Sequence, residues 1–236
     1  MRRENHLVQL SKYETSDVYD RDRAAMALPL RRAAAKELAP RLAGSVLLAG
    51  WSAELQFTPP SAERIVVADV SPKVLKSVPK RNNVSVVCAE AGRLPFDLGT
   101  FDVVLAADIL HHLAEDNSRE TDMALREFIK NASNVLKREG TLLIFEPLVN
   151  VFLETLNRAL FLPARVVMNA RGVPVPCYYS LASLKEIVFD SGMVLASARR
   201  VPVPGDFMLT ARYPDYTIPY SLLPVRFYLL ECRKKI

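Results

Sequence analysis

The chain has 236 residues, half of them hydrophobic, with 24% charged residues and only 8 glycines. That balance supplies a core for one α/β domain and a small cap, and it excludes a disordered or low-complexity chain. The net charge of +5 is scattered over pairs such as Arg31-Arg32 and Arg199-Arg200, without interleaved aromatic platforms. This reads as solvated faces rather than a nucleic-acid interface.

The spacing of Met26, Leu30, Ala34, Leu38 and Leu42 predicts an amphipathic helix over 23–42, with Asp22 as its cap. Short apolar runs then predict buried strands at 45–49, 65–69, 84–88, 101–106 and 141–145. Between them lie a helical turn at 53–57, stopped by Pro59-Pro60, and a helix from Pro72, capped by Ser71. A long helix is expected over 121–137, with Leu125, Phe128 and Ile129 on one side. A helix at 183–191 and strands at 194–201 and 227–232 complete the list. The prolines crowd after residue 147 and predict an irregular C-terminal third.

Short apolar strands alternating with helices predict a doubly wound, mostly parallel seven-stranded α/β sheet, covered on both faces. The expected organisation is a single domain over 1–236, with a helical cap at 1–43 and an apolar, proline-bearing excursion at 148–180 that covers the substrate.

Ligands of such sheets sit beyond the carboxyl ends of the strands, near the point where strand order reverses. Five segments therefore line one crevice: Gly50-Trp51-Ser52, Asp69, Glu90-Ala91-Gly92, Asp108 to His112, and Glu146-Pro147. Asp69 ends a buried strand where a carboxylate accepts hydrogen bonds from a ribose diol, or else caps the next helix. His111 and His112 offer a general base, or a supporting or packing role. Asp108 is a second candidate base or substrate contact, or the cap of a short helix. Phe152, Leu156, Leu160, Phe161 and Val167 form a stripe that faces an apolar acceptor, or else core or a dimer contact.

Cys88, Cys177 and Cys232 are odd in number and far apart, with no metal-ligand spacing, which points to reduced thiols and a cytoplasmic setting. Residues 1–23 carry five acids and no apolar run, so no secretory signal is read there. The most apolar stretch, 141–170, is broken by Glu146, Pro147, Glu154 and Arg158, which excludes stable membrane insertion.

From Ile65 onward the chain resembles the class I S-adenosylmethionine-dependent methyltransferases, in particular their small-molecule, quinone-biosynthesis-like branch. The segments that carry the resemblance are Val67-Ala-Asp69-Val-Ser71, Ala89-Glu90-Ala91-Gly92-Arg-Leu-Pro95-Phe96, Phe101-Asp-Val-Val104, Leu110-His111-His112-Leu113, and Gly140-Thr-Leu-Leu-Ile-Phe-Glu146-Pro147. The family's first glycine motif is degenerate here. Gly50 remains, Leu48 stands where an acid is usual, and Ser52 and Glu54 replace the later glycines. The resemblance implies S-adenosylmethionine as cofactor and S-adenosylhomocysteine as product, held by Gly50 and Trp51 in the first loop. Asp69 would bind the ribose, Val70, Glu90 and Ala91 the adenine, and Ala106 and Ala107 the methionine part through their backbone. Tyr13 and Tyr19 would fold over the site from the cap. The implied activity is methyl transfer to a small, apolar or aromatic molecule by a monomer or homodimer. The alternative is a methyltransferase-like protein that has lost methyl transfer and acts as another catalyst or an assembly partner.

Overall fold

Every residue from Val46 to Ala49 is buried, a pattern that only a strand covered on both faces allows. These residues belong to β1 (Ala43–Ala49), which pairs in parallel with β2 (Ser61–Asp69) and β4 (Phe101–Ala107). The sheet has seven strands in the order β3-β2-β1-β4-β5-β9-β6, where β3 is Val84–Cys88, β5 Leu136–Leu148, β6 Met193–Arg200 and β9 Arg226–Lys234. Only β9 runs against its neighbours, pairing antiparallel with both β5 and β6. The mostly parallel α/β sheet expected from the apolar runs is therefore the observed one. The computed structural model describes residues 28–51, 59, 61–170, 175–202, 208–212, 215–219 and 224–235.

Strand alternation divides the core into two layers. Leu47, Val66, Val104, Leu142 and Ile144 point to one face and meet Leu125, Phe128 and Ile129 of α3 (Ser118–Val135) and Leu184 and Val188 of α5 (Leu181–Asp190). Val46, Leu48, Val67, Val103, Leu105 and Leu143 point to the other face, where α1 (Leu28–Leu38) brings Leu30, Ala34 and Leu38 at helical spacing. The short α2 (Pro72–Lys76) begins at Ser71, whose hydroxyl accepts the Val74 N–H at 3.3 Å. The long α3 starts at Asn117, whose side chain accepts the Glu120 N–H at 2.9 Å. Residues 23–27 and 53–57 of the expected helices lie outside the described residues.

The expectation of an irregular C-terminal third is wrong in two places. Val151–Asn169 forms a 19-residue helix, α4, capped by Asn150 and carrying Pro163 inside it. A hairpin of β7 (Met208–Arg212) and β8 (Asp215–Pro219) stands apart from the main sheet. The helix tolerates Pro163, which removes one N–H donor, because its inner side is anchored by polar contacts. The Glu154 carboxylate accepts from Ser180 N at 2.9 Å, Ser183 Oγ at 2.7 Å and Arg158 Nε at 3.0 Å. Arg158 also donates to both carboxylate oxygens of Asp122 at 2.9 and 3.0 Å, and Asp122 accepts from the Tyr179 hydroxyl at 3.0 Å. Arg165 donates to Asp116 at 2.8 Å. Burial works to raise the Glu154 carboxyl, but the bonds from Ser180, Ser183 and Arg158 outweigh it and hold it below its ordinary value.

The stripe predicted to face an acceptor is split. Phe161 is buried in the core, whereas Phe152, Leu156, Leu160 and Val167 stand on the outer side of α4.

Candidate active site

β1 and β4 are hydrogen-bonded neighbours only as far as the pair Leu48 and Leu105. Beyond it each strand follows its outer partner: Ala49 stays with Ala68 of β2, and Ala107 stays with Phe145 of β5. The sheet thus parts at its carboxyl edge between β1 and β4, where the direction of strand order reverses. This is the place at which open α/β sheets take ligands.

The β1 side of the opening is built around Gly50. Its N–H bonds Ala68 O at 2.7 Å, and its φ of +88° lies in the region that favours glycine. A Cβ at this position would lie 2.6 Å from Ile109 Cγ2, so the turn after β1 rests directly against the turn after β4. Asp69 then ties two loops together: Oδ2 accepts Trp51 N at 2.9 Å, and Oδ1 accepts Ser71 N at 2.8 Å. The Trp51 indole is buried in the core layer that holds Leu48 and Val67. Trp51 therefore meets the crevice through its backbone, while its ring helps line an apolar hollow with Leu48, Val67, Val78 and Val84. Val70 is partly exposed, and its carbonyl accepts the Cys88 thiol at 3.6 Å. Glu90 is exposed after β3, with its carbonyl accepting Arg93 N at 2.9 Å, and Ala91 packs on the core.

The β4 side is organised by Glu146, which the sequence places in the crevice lining without marking it as a hydrogen-bonding centre. Glu146, near the end of β5, is 2% exposed. Its carboxylate accepts the N–H groups of Ile109 at 3.1 Å, Leu110 at 3.2 Å and His111 at 3.0 Å. It also meets His111 Nδ1 at 2.5 Å. A carboxylate that receives these amides is an acceptor, so Nδ1 donates its ring proton to Glu146. Asp108 makes this possible. At φ +57° it turns the chain sharply after β4, with its N–H on Phe145 O at 2.7 Å, and aims the following amides at Glu146. The N-cap position of the 3₁₀ turn Leu110–His112 is Ile109, one residue after Asp108, and the Glu146 carboxylate accepts the Leu110 N–H.

His111 is buried beneath neighbouring rings. His112 lies 4.0 Å away centroid to centroid, and Tyr178 stacks on His111 at 5.4 Å with 14° between planes. Cys177 N bonds His111 O at 3.0 Å, which brings the Tyr178 loop to this turn. Burial, reinforced by the negative charges of Asp108 and Glu146, raises the Tyr178 phenol well above its ordinary value, so it stays protonated. Nothing in residue type marks Tyr178 in the sequence, because the loop contact alone brings it here. Glu146 had a weak signal in that it ends an apolar strand as Glu-Pro.

Of the other expected residues, Ala106 and Ala107 are fully buried, with their backbones in the β4–β5 ladder. Phe152 is 75% exposed on α4. Tyr13, Tyr19, Ser52 and Glu54 lie outside the described residues. Among the described residues no cluster of His, Cys, Asp and Glu is arranged to hold a metal ion, and no helix is long and apolar enough to cross a membrane.

Comparison with known proteins agrees with this geometry. Residues 44–144 match the family model described as a methyltransferase domain. No curated protein matches the sequence. Among solved structures, 1,6-didemethyltoxoflavin-N1-methyltransferase of Burkholderia thailandensis, with bound 1,6-didemethyltoxoflavin and S-adenosylhomocysteine, is 16% identical with a TM-score of 0.64, covering 99% of this chain and 90% of that one. A chain from the complex of the Haloferax volcanii Trm112 methyltransferase activator with a methyltransferase is 14% identical with a TM-score of 0.63, over 99% and 98% of the two chains. The [4+2]-cyclase SpnF is 16% identical with a TM-score of 0.56, over 88% and 81%. These likenesses show a shared fold. Residues 44–144 match a methyltransferase-domain model, and the architecture is that of solved methyltransferases, one of which holds S-adenosylhomocysteine, the demethylated form of the cofactor S-adenosylmethionine.

The described residues fit that cofactor. Asp69, partly exposed at the end of β2, is a carboxylate of the kind that accepts from a ribose diol. Gly50 adds no side chain at the opening, where a Cβ would collide with Ile109.

Proposed function

We propose that this chain moves a methyl group from S-adenosylmethionine to a small molecule in the opening between β1 and β4. The observation that carries the reading is that opening itself, flanked by Asp69 on one side and by the Glu146-held His111 on the other. The bound cofactor supplies an electrophilic methyl on a positively charged sulfur. Asp69 and Gly50 orient the nucleoside end, with Glu90 and Val70 on the adenine side. His111 would take the acceptor's proton as the acceptor is methylated. Glu146 holds the imidazole in the competent tautomer and stabilises its charged form. A positioned base of this kind contributes roughly 10²–10⁴-fold. The rings of His111, His112 and Tyr178 favour a flat or aromatic acceptor, and the Burkholderia protein holds 1,6-didemethyltoxoflavin together with S-adenosylhomocysteine.

Calorimetric titration with S-adenosylhomocysteine, followed by transfer of labelled methyl to a panel of phenols and heterocycles, tests the reading. Binding that Asp69→Ala weakens, with turnover that His111→Asn lowers at unchanged cofactor affinity, is the expected result. Absence of any heat or thermal shift at millimolar ligand would overturn it. A second reading, in which the fold serves another catalysis, is favoured by Ser52 and Glu54 in place of glycines and by the likeness to a cyclase. It predicts cofactor binding without transfer to any acceptor.

A further inference from the structure

Helix α4 is amphipathic in the inverted sense. Its charged residues all point inward: Glu154 binds Ser180 and Ser183, Arg158 binds Asp122, and Arg165 binds Asp116. Its outward positions are apolar, apart from Thr155. Seven large apolar side chains between Val151 and Val167 are exposed by 44% to 75%. A surface helix normally turns these the other way. Together they make a charge-free patch on the order of 700 Å², larger than a monomer ordinarily shows to water. It lies along a helix about 28 Å long.

We infer that this face is the contact between two copies of the chain, with α4 packed against α4 of the second copy about a two-fold axis. The area is the first reason. A standard interface takes about 800 Å² from each partner, and the α4 patch with a narrow rim reaches that figure. The second reason is self-complementarity. In a two-fold contact each side chain meets the same patch, so an exposed charge would face its own copy, and α4 exposes none. A lipid surface fits less well, since interfacial helices carry Lys or Arg on the polar face and Trp among the apolar anchors. α4 has no Lys, Trp or Tyr, and its two arginines are committed to Asp122 and Asp116. The inference rests on α4 alone and stands apart from the methyl-transfer reading.

The test is sedimentation velocity of the full chain at micromolar concentration. The expected mass is that of two 26.4 kDa chains, falling to one in the double variant Phe152→Glu/Val166→Glu with its far-ultraviolet circular dichroism unchanged. Should that variant fail to fold, Leu160→Cys in a Cys88→Ser background decides. Leu160 is the middle residue of α4, next to the expected axis, and mild oxidation should link the two copies through it. A wild-type chain that sediments as a monomer, a dimer that survives both glutamates, or a Leu160→Cys chain that stays unlinked would overturn the inference. So would a monomer that pellets with phosphatidylcholine vesicles through this helix.

Discussion

Asp69 and Glu146 occupy matching places on either side of the parting strands. Asp69 ends β2 and reaches the loop after β1; Glu146 nears the end of β5 and reaches the turn after β4. Each carboxylate thus orders the loop of the neighbouring inner strand, and the two inner loops meet where Gly50 touches Ile109. They differ in burial and in load. Asp69 is partly exposed and holds amides from two loops, whereas Glu146 is almost fully buried and gathers three successive amides and an imidazole. One carboxylate stands partly exposed at the crevice, and the other is committed to shaping a turn. A site of this kind keeps its binding group and its supporting group on opposite flanks, so substitutions should separate affinity from stability.

The largest effect should come from Glu146→Ala. It leaves three backbone donors and a histidine without their acceptor, and removing such a buried partner costs about 3–5 kcal/mol. Urea unfolding should show this loss, and a loss under 1 kcal/mol would end the view of Glu146 as the organiser of the turn. Next is Gly50→Ala, where positive φ and the Ile109 contact together should cost about 2–3 kcal/mol. The Ile109→Ala change should recover part of that in a double-mutant cycle; full additivity would mean that the two loops are not coupled. Asp69→Asn keeps one acceptor oxygen but sets an NH2 group against the other backbone N–H, so it should lower stability by about 1 kcal/mol and weaken S-adenosylhomocysteine by roughly tenfold to thirtyfold, about 1.5–2 kcal/mol by calorimetry. A stability loss as large as that of Glu146→Ala would erase the contrast.

The smallest effect concerns a third carboxylate, Glu154. Its folded-state pKa lies below the ordinary value of 4.5, so the stability it contributes is complete above that pH and is lost as the pH falls beneath it. Glu154→Gln should make the acid limb of a stability–pH curve shallower. An unchanged slope would show that the α4 anchor is not linked to protons.

The parallel half of the sheet was legible because Val46 to Ala49, Ile65 to Ala68 and Val103 to Ala106 are uninterrupted apolar runs, the mark of strands covered on both faces. Asp69 was legible from its place at the end of such a run. Helix α4 was not, for a physical reason. Its polar residues face the protein and its apolar residues face outward, so the usual inference from periodicity to burial runs backwards there. Pro147 and Pro163 added the look of an irregular segment, although one lies in a strand and the other is carried within an anchored helix. Glu146 was not marked as a hydrogen-bonding centre because its partners are mostly backbone amides, which every sequence has. Tyr178 escaped notice because only the folded loop brings it against His111.

The place of β9 has a consequence for how the chain is made. Residues 226–234 lie between β5 and β6, although both of those strands come earlier in the sequence. During synthesis the long β5 therefore emerges with one side unpaired, and it stays so until this late segment leaves the ribosome. Its exposed ladder is the kind of edge that recruits other strands. Closing the sheet also requires contacts between distant parts of the chain, which slows folding. Nascent chains stalled before β9 should therefore be the species that aggregates or engages chaperones, even though the segment 44–144 that matches the family model has by then been made.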